Sequence, residues 1–137
     1  NGRARAGVSS FTKKELQPMK AFMANGGIVW YGCDQDFGKK ATVFAPFFGV
    51  PAANITTPSW IVRETGAAVI FMGMRRLDNG EYEISFSEEL DIKGEDELAD
   101  TITWNTELEK EVSRFPTQYM WVHKRFKTRP EGEAAFY

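Results

Sequence analysis

Helix and strand signals alternate along this 137-residue chain, and the alternation predicts an α/β fold. Strands joined through a helix are normally parallel with a right-handed crossover, so the first two strands are expected to be parallel. The predicted architecture is therefore a partial mixed sheet flanked by helices. The predicted elements, in order, are a helix within residues 11–27, a strand at 28–31, an irregular stretch at 41–51 with a short strand at most, a helix at 57–66, strands at 68–75 and 81–90, a helix at 95–115 and a short helix from 116.

Local signals predict several of the element boundaries. The regular part of the first helix is expected to begin near Gln17, with Pro18 in its first turn. Thr57 is expected to cap the next helix, which Gly66 ends. Residues 78–80, Asp-Asn-Gly, are typical of a hairpin turn.

Hydrophobic periodicity predicts which faces are buried. Residues 68–75 are expected to form a buried strand. In residues 81–90 the period is two, which places Tyr82, Ile84 and Phe86 on one face of a strand. In residues 95–115 the period is that of a helix. The side chains expected to point inward there are Leu98, Ile102, Leu108, Val112 and Phe115.

Composition indicates one globular domain and argues against several function classes. Hydrophobic residues make up 42% of the chain and aromatic residues 14%, which is enough for a folded core. Cys33 is the single cysteine, so an intrachain disulfide is excluded, and no Cys/His set has zinc spacing. The net charge is −2 and the basic residues are clustered locally, so no nucleic-acid partner is expected.

Two carboxylates directly follow the first predicted strand, at Asp34 and Asp36. Ligands collect at the carboxyl ends of strands in α/β sheets, so this pair could bind a cation, orient a base or hold a substrate hydroxyl. A plain turn explains the pair equally well, because Asp side chains bond nearby backbone N–H groups and Gly38 suits a tight bend.

The stretch from His123 to Arg129 is strongly basic. Arg125, Lys127 and Arg129 could clamp a phosphate, but charge counting alone favours a solvated surface or pairing with the acidic helix. His123 is the single histidine, and Thr128 occupies the position where an H-x4-D dyad would need its acid. A structural or ligand-contacting role is therefore expected for His123 rather than a catalytic one.

Three motifs resemble the carboxyl-terminal half of the Kdo-dependent late acyltransferases of bacterial lipid A biosynthesis, of the lauroyl or myristoyl type. The first is D-x-D-x-G at Asp34, Asp36 and Gly38. The second is V-F-x-P-F-F-G at residues 43–49, and the third is Q-Y-M-W-x-H-x-R-F-K-T-R-P-E-G at residues 118–132. The resemblance spans nearly the whole chain.

The resemblance implies an enzyme that transfers a fatty acyl group from acyl carrier protein to a hydroxyl of a Kdo-bearing lipid A precursor in lipopolysaccharide biosynthesis. This acceptor is a phosphorylated glucosamine disaccharide, and the reaction takes place at the cytoplasmic face of the inner membrane. The family's membrane anchor and its catalytic H-x4-D/E dyad are expected upstream of this sequence, which begins with Asn1. Residues 1–137 would then be the carboxyl-terminal part of a single acyltransferase domain, inactive alone, with no catalytic residue, metal or cofactor of its own.

The resemblance also assigns site residues, and it leaves two questions open. The basic tail could hold lipid A phosphates, Kdo carboxylates or the acidic acyl carrier protein. The chain could alternatively be a non-catalytic module of the same fold that binds a lipid or an acidic protein. The residues assigned to substrate binding are Arg5, Asp34, Asp36, Gly38, Arg125, Lys127 and Arg129, and those assigned to an acyl groove are Phe44, Phe47, Phe48 and Trp60.

Overall fold

The computed structural model describes residues 7–12 and 14–137, and the chain divides into two compact units, Asn1–Tyr31 and Gly32–Tyr137. Helices and short strands are both present, which confirms the α/β class. The elements, in chain order, are helix α1 (Leu16–Ala24), strands β1 (Thr42–Phe47) and β2 (Val50–Ile55), helix α2 (Thr57–Thr65), strands β3 (Ile70–Arg76) and β4 (Tyr82–Glu89), helix α3 (Glu97–Arg114) and two 3₁₀ turns at Pro116–Gln118 and Trp121–His123.

The first unit contains α1, which begins one residue before the predicted Gln17. Pro18 lies in its first turn, where a missing N–H breaks no helical hydrogen bond. The strand predicted at residues 28–31 is wrong: these residues form no strand, and Ile28 and Trp30 are 92% and 68% exposed. A short apolar run becomes a strand only with a neighbouring strand to bond its backbone, and the described residues of the first unit contain no strand.

The strands of the second unit form two separate antiparallel pairs, β1 with β2 and β3 with β4. The predicted mixed sheet and its parallel crossover are therefore wrong. That prediction depended on residues 28–31 acting as the first strand, whereas the described strands form only the two antiparallel pairs.

The pair β1–β2 is a hairpin in the stretch predicted to be irregular. Its two-residue turn, Phe48-Gly49, has φ angles of 50° and 75°, and two positive φ angles are characteristic of a type I′ turn. Pro46 lies opposite Pro51. In a two-stranded sheet both strands are edges, so a proline can face its ring nitrogen away from the partner without losing a ladder bond.

The pair β3–β4 confirms the hairpin predicted around residues 78–80. The N–H of Gly80 donates to the carbonyl of Leu77 at 2.9 Å, and Gly80 has the positive φ of 88° that the turn requires. Helix α2 ends at Gly66 as predicted, where φ is 64°. Its N-cap position is Thr56 instead of the predicted Thr57, and the Thr56 side chain makes no capping hydrogen bond. Strand β3 was predicted to be buried, but Gly73 is the one residue of β3 that is buried.

Helix α3 is capped by Asp96, whose side chain accepts hydrogen bonds from two backbone N–H groups of the first turn. Leu98 and Ile102, predicted to point inward, are 41% and 42% exposed. The buried face instead follows the i, i+3, i+4 spacing of Thr101, Trp104, Asn105, Leu108 and Val112, so polar residues share the inward stripe with apolar ones.

One core cluster joins α3 to the β1–β2 hairpin and to the carboxyl-terminal segment. Its buried members are Phe47, Ala52, Val62, Ile92, Trp104, Leu108, Val112 and Phe126. The predicted final helix is present as two 3₁₀ turns. Among the described residues, no helix has both the length and the apolar character needed to cross a bilayer.

Candidate functional site

Asp36 connects the loop after residue 32 to the carboxyl-terminal segment. It is 4% exposed, and its carboxylate accepts hydrogen bonds from the N–H of Thr128 at 2.7 Å and from the Thr128 hydroxyl at 2.8 Å. The same carboxylate accepts the N–H of Gly38 at 2.9 Å, and the φ of 89° at Gly38 closes this tight turn. The D-x-D-x-G motif thus forms a turn, and its second carboxylate, that of Asp36, also binds the carboxyl-terminal segment.

Arg125 is fully buried, at 0% exposure, beneath the β1–β2 hairpin. Its Nη1 donates to the carbonyl of Ala53 at 2.7 Å, and its Nη2 donates to the side-chain oxygen of Asn54. The guanidinium lies 5.4 Å from the centroid of the Phe47 ring. Burial lowers the pKa of Arg125, while the charges of Asp34 and Asp36 act in the opposite direction. Arg125 therefore ties the basic segment to β2 from inside the molecule.

The other cations of the segment divide between structural and exposed positions. Arg129 donates to the carbonyl of Pro51 at 2.6 Å and pairs with Glu133. Lys127 is exposed. Lys124 is exposed as well, with its ammonium 5.7 Å from the ring centroid of Tyr137. The basic cluster is therefore not one surface, because its two arginines bond to protein groups while its lysines face solvent.

Asp34 occupies a different environment from Asp36 although it belongs to the same motif. It is half-buried, and none of the described residues donates a hydrogen bond to its carboxylate. Its charge reaches several neighbours. Burial, together with the Asp34 charge, raises the pKa of the Cys33 thiol to about 12. Burial and the same carboxylate also raise the pKa of the Tyr119 phenol. Asp34 thus differs from Asp36, because it acts on its described neighbours through its charge and not through a hydrogen bond.

His123 packs against Tyr119 in the same region. Its Nδ1 lies within hydrogen-bond distance of the Met120 carbonyl, which can only accept, so Nδ1 is the donor in this contact. The Tyr119 hydroxyl lies 3.5 Å from Nε2, and the two rings meet edge to face with their centroids 5.4 Å apart. These contacts are compatible with the structural or ligand-contacting role expected for the single histidine.

The four residues assigned to an acyl groove do not line one surface. Phe47 is fully buried in the core, whereas Phe48 at the hairpin turn is 44% exposed. Phe44 and Trp60 are half-buried. Phe44 and Phe47 are three positions apart on β1, so strand alternation directs them to opposite faces.

The structure adds two residues that the sequence analysis did not assign to the site. Thr128 binds Asp36, and Asn54, which is 1% exposed, binds Arg125. Thr128 lies within the third motif, and its place between two cations was a usable signal; Asn54 had none. Arg5, an assigned residue, lies outside the described residues. Among the described residues, no cluster of three or more His, Cys, Asp or Glu side chains could hold a metal.

Comparisons with known proteins point to one family. Residues 1–128 match the family model for bacterial lipid A biosynthesis acyltransferases. The chain is 36% identical over 138 residues to a lipid A biosynthesis palmitoleoyltransferase of Escherichia coli strain K12, and 37% identical over 139 residues to a lipid A biosynthesis lauroyltransferase of the same strain. A lipid A biosynthesis acyltransferase of Haemophilus influenzae is 35% identical over 134 residues.

These alignments cover nearly all of this chain but less than half of each relative. The two Escherichia coli matches take in 99% of the chain and 45% of the relative, and the Haemophilus influenzae match takes in 95% and 43%. The chain thus spans about 45% of the length of these relatives. By the match to the family model and by these identities, the chain belongs to the bacterial lipid A biosynthesis acyltransferase family.

Proposed function

We propose that residues 1–137 are the carboxyl-terminal part of an acyltransferase of lipid A biosynthesis and that they shape its substrate site. The single observation that supports this most is the bond between Asp36 and Thr128. It joins the first and third motifs of the family resemblance through two residues that are 92 positions apart. A structural tie between these two motifs is what a shared site would need.

In the proposed reaction, a hydroxyl of the lipid A precursor attacks the thioester carbonyl of an acyl group carried by acyl carrier protein. An ester bond forms and the carbon–sulfur bond breaks. The hydroxyl proton passes to a histidine base and then to the departing thiolate, which leaves as the free thiol of the carrier. The base belongs to the H-x4-D/E dyad, which lies outside residues 1–137, so this chain alone would be inactive.

Within this chain, the exposed and the buried polar residues have different proposed roles. Asp34 is the proposed substrate contact, because its half-buried carboxylate is not bonded by the described residues. The exposed Lys127 is the proposed contact for phosphate or for an acidic carrier. Asp36, Arg125 and Arg129 are positioning residues, since each bonds to protein groups that hold the carboxyl-terminal segment in place.

The exposed Phe48 is the proposed acyl contact, whereas Phe47 serves the core. The N–H of Phe48 donates to the Glu109 carboxylate at 2.7 Å, which anchors the hairpin turn to α3. The proposed acceptor is the phosphorylated glucosamine disaccharide of a lipid A precursor, because the relatives are named for lipid A biosynthesis. The proposed place of action is the cytoplasmic face of the inner membrane, where such a lipid would be acylated.

An acyl-transfer assay tests the proposal. Acyl carrier protein loaded with a lauroyl, myristoyl or palmitoleoyl group would be mixed with a Kdo-bearing lipid A precursor and with either residues 1–137 or a chain of the relatives' length that contains them. Ester formation with the longer chain alone is expected. Absence of transfer by the longer chain with every donor would overturn the proposal, and transfer by residues 1–137 alone would overturn the placement of the base outside them.

A further inference from the structure

The β3–β4 hairpin is covered on one face. Gly73 lies so close to α3 that an added Cβ would come within 2.8 Å of a Glu111 carboxylate oxygen and of the Ser85 hydroxyl. On the same face, Arg75 pairs with Glu83 at 2.7 Å. This face has no room for a further element over Gly73.

The opposite face of the hairpin carries an apolar stripe. Met72 lies opposite Phe86, Met74 opposite Ile84, and Arg76 opposite Tyr82. Ile84 is 54% exposed and Phe86 is 64% exposed, although strand alternation places them in one row. A contiguous apolar stripe of this kind is a surface against which another element can pack. The apolar members of the stripe are the half-buried Met72 and the exposed Ile70, Met74, Tyr82, Ile84 and Phe86.

Along β3, the backbone N–H and C=O groups of successive residues point alternately toward β4 and toward the open edge of the hairpin. The N–H of Leu77 donates to the carbonyl of Glu81 at 2.8 Å, so alternate residues from Leu77 back to Gly73 bond toward β4. The intervening residues Arg76, Met74 and Met72 direct their N–H and C=O groups away from β4. At Arg76 the Gln118 amide replaces a strand, accepting the N–H at 2.7 Å and donating to the C=O at 2.9 Å.

No comparable partner bonds Met72 and Met74 in the described part of the chain. The two strands of the hairpin also differ in charge. Residues 70–74 of β3 are uncharged, whereas β4 and its ends carry Glu81, Glu83, Glu88 and Glu89. Charged side chains normally protect a strand edge from pairing. The edge of β3 is therefore the unprotected one.

We propose that the β3 edge at Met72 and Met74 pairs with an added strand from the part of a family-length chain that lies outside residues 1–137, and that this part also covers the apolar stripe. The inference rests on the proposed function, in which residues 1–137 work within a longer acyltransferase. The relatives leave more than half of their own length outside the match, which is ample chain to supply such a strand.

Two other occupants fit the surface less well. The stripe measures about 25 Å by 10 Å, or roughly 250 Å², from strand rise and spacing. A stable interface between separate proteins needs roughly 800 Å² on each partner, so a second copy would not be held by this stripe alone. An anionic membrane would be repelled by the glutamates along β4.

Amide hydrogen exchange, resolved to single residues, tests the inference in the family-length protein and in residues 1–137. The amides of Met72 and Met74 are expected to exchange at least about 100-fold more slowly in the longer protein. The amides of Gly73 and Arg75 bond toward β4 and are the internal control, with slow exchange expected in both proteins. A second readout uses Ile84→Cys in a protein whose own Cys33 is replaced by serine. A water-soluble maleimide should modify the introduced cysteine in residues 1–137 and not in the longer protein.

Fast exchange at Met72 and Met74 in the longer protein, with Gly73 and Arg75 still slow, would overturn the inference. Slow exchange in residues 1–137 that strengthens with their concentration would also overturn it, in favour of a second copy. The acyl-transfer assay keeps the two proposals apart. An active longer protein with a fast-exchanging β3 edge contradicts this inference alone, and an inactive one with a protected edge contradicts the proposed function alone.

Discussion

The Asp36 carboxylate binds both the N–H and the hydroxyl of Thr128, a residue 92 positions further along the chain. These two hydrogen bonds are buried, since Asp36 is 4% exposed. It holds the carboxyl-terminal segment against the loop that also carries Asp34. Asp36 therefore helps to hold the fold, and under the proposed function Asp34 is left to contact the substrate.

The two aspartates should respond differently to the same substitution. Asp36→Asn replaces an acceptor-only group by an amide whose NH₂ cannot accept from Thr128, so the free energy of unfolding should fall by about 2 kcal/mol. Asp34→Asn is the matched control and should change it by less than about 1 kcal/mol. Urea unfolding followed by circular dichroism measures both. Equal losses for the two variants would contradict the division of tasks.

The pair Asp36–Thr128 can be tested further with a double-mutant cycle. Thr128→Val removes the hydroxyl but keeps the backbone N–H, and it should cost about 1 kcal/mol. Combined with Asp36→Asn, the two losses should sum to more than the loss of the double variant, because both act on one bond. Simple additivity would show that the two side chains do not interact.

Arg125 and Lys127 are two positions apart, but substituting them should have different effects on the free energy of unfolding. Arg125→Lys keeps the charge but cannot reach both Ala53 and Asn54 with a planar fork, so the free energy of unfolding should fall by about 3 kcal/mol. Lys127→Ala, at an exposed position, should leave it within about 0.5 kcal/mol. Thermal unfolding of the two variants gives the comparison. A stable Arg125→Lys variant would argue that Arg125 faces a ligand instead.

Cys33 should make the stability of the chain fall at high pH. Burial raises the pKa of its thiol from 9.0 to about 12, so the folded state keeps this proton where the unfolded state has lost it. The unfolded state then binds fewer protons, and stability falls as the pH rises from about 9 toward about 12. Below pH 9 the thiol is protonated in both states and adds no pH dependence.

The matched variant for this prediction is Cys33→Ala. Its unfolding free energy should have a flatter pH dependence between pH 9 and pH 11 than that of the unsubstituted chain, by at most about 1.4 kcal/mol per pH unit. Urea unfolding at several pH values measures the slopes. Parallel slopes for the two proteins would mean that the Cys33 thiol ionises in the folded state as it does in the unfolded one.

Sequence signals predicted the local features of the fold and missed those set by tertiary contacts. Gly66 and the turn at residues 78–80 were predicted correctly because helix ends and tight turns depend on the residues themselves. The alternation in β4 was also correct, yet Ile84 is exposed, since a period of two does not say what covers the face. The strand predicted at residues 28–31 was wrong, because an apolar run alone does not show whether a partner strand bonds its backbone.

The same division applies to the site. The motifs drew attention to Asp36 and Arg125, which the structure shows to be buried and hydrogen-bonded, but they did not reveal these contacts. Charge counting treated the basic segment as one surface, whereas Arg125 is buried by a hairpin that lies 71 to 72 positions earlier in the chain. Asn54, its partner, belongs to no charged cluster or turn signal, so no pattern in the sequence could reveal the pairing.

The most direct test of the central claim is acyl transfer to a Kdo-bearing lipid A precursor by a family-length protein that contains residues 1–137, compared with its Asp34→Asn variant at equal folded fraction. Transfer by the unsubstituted protein is expected, with kcat/KM lowered by about 10-fold to 100-fold in the variant, the loss of one hydrogen bond to a charged group. No transfer by the unsubstituted protein with any of the lauroyl, myristoyl or palmitoleoyl donors would contradict the proposed function. An unchanged kcat/KM in the variant would remove Asp34 from the site.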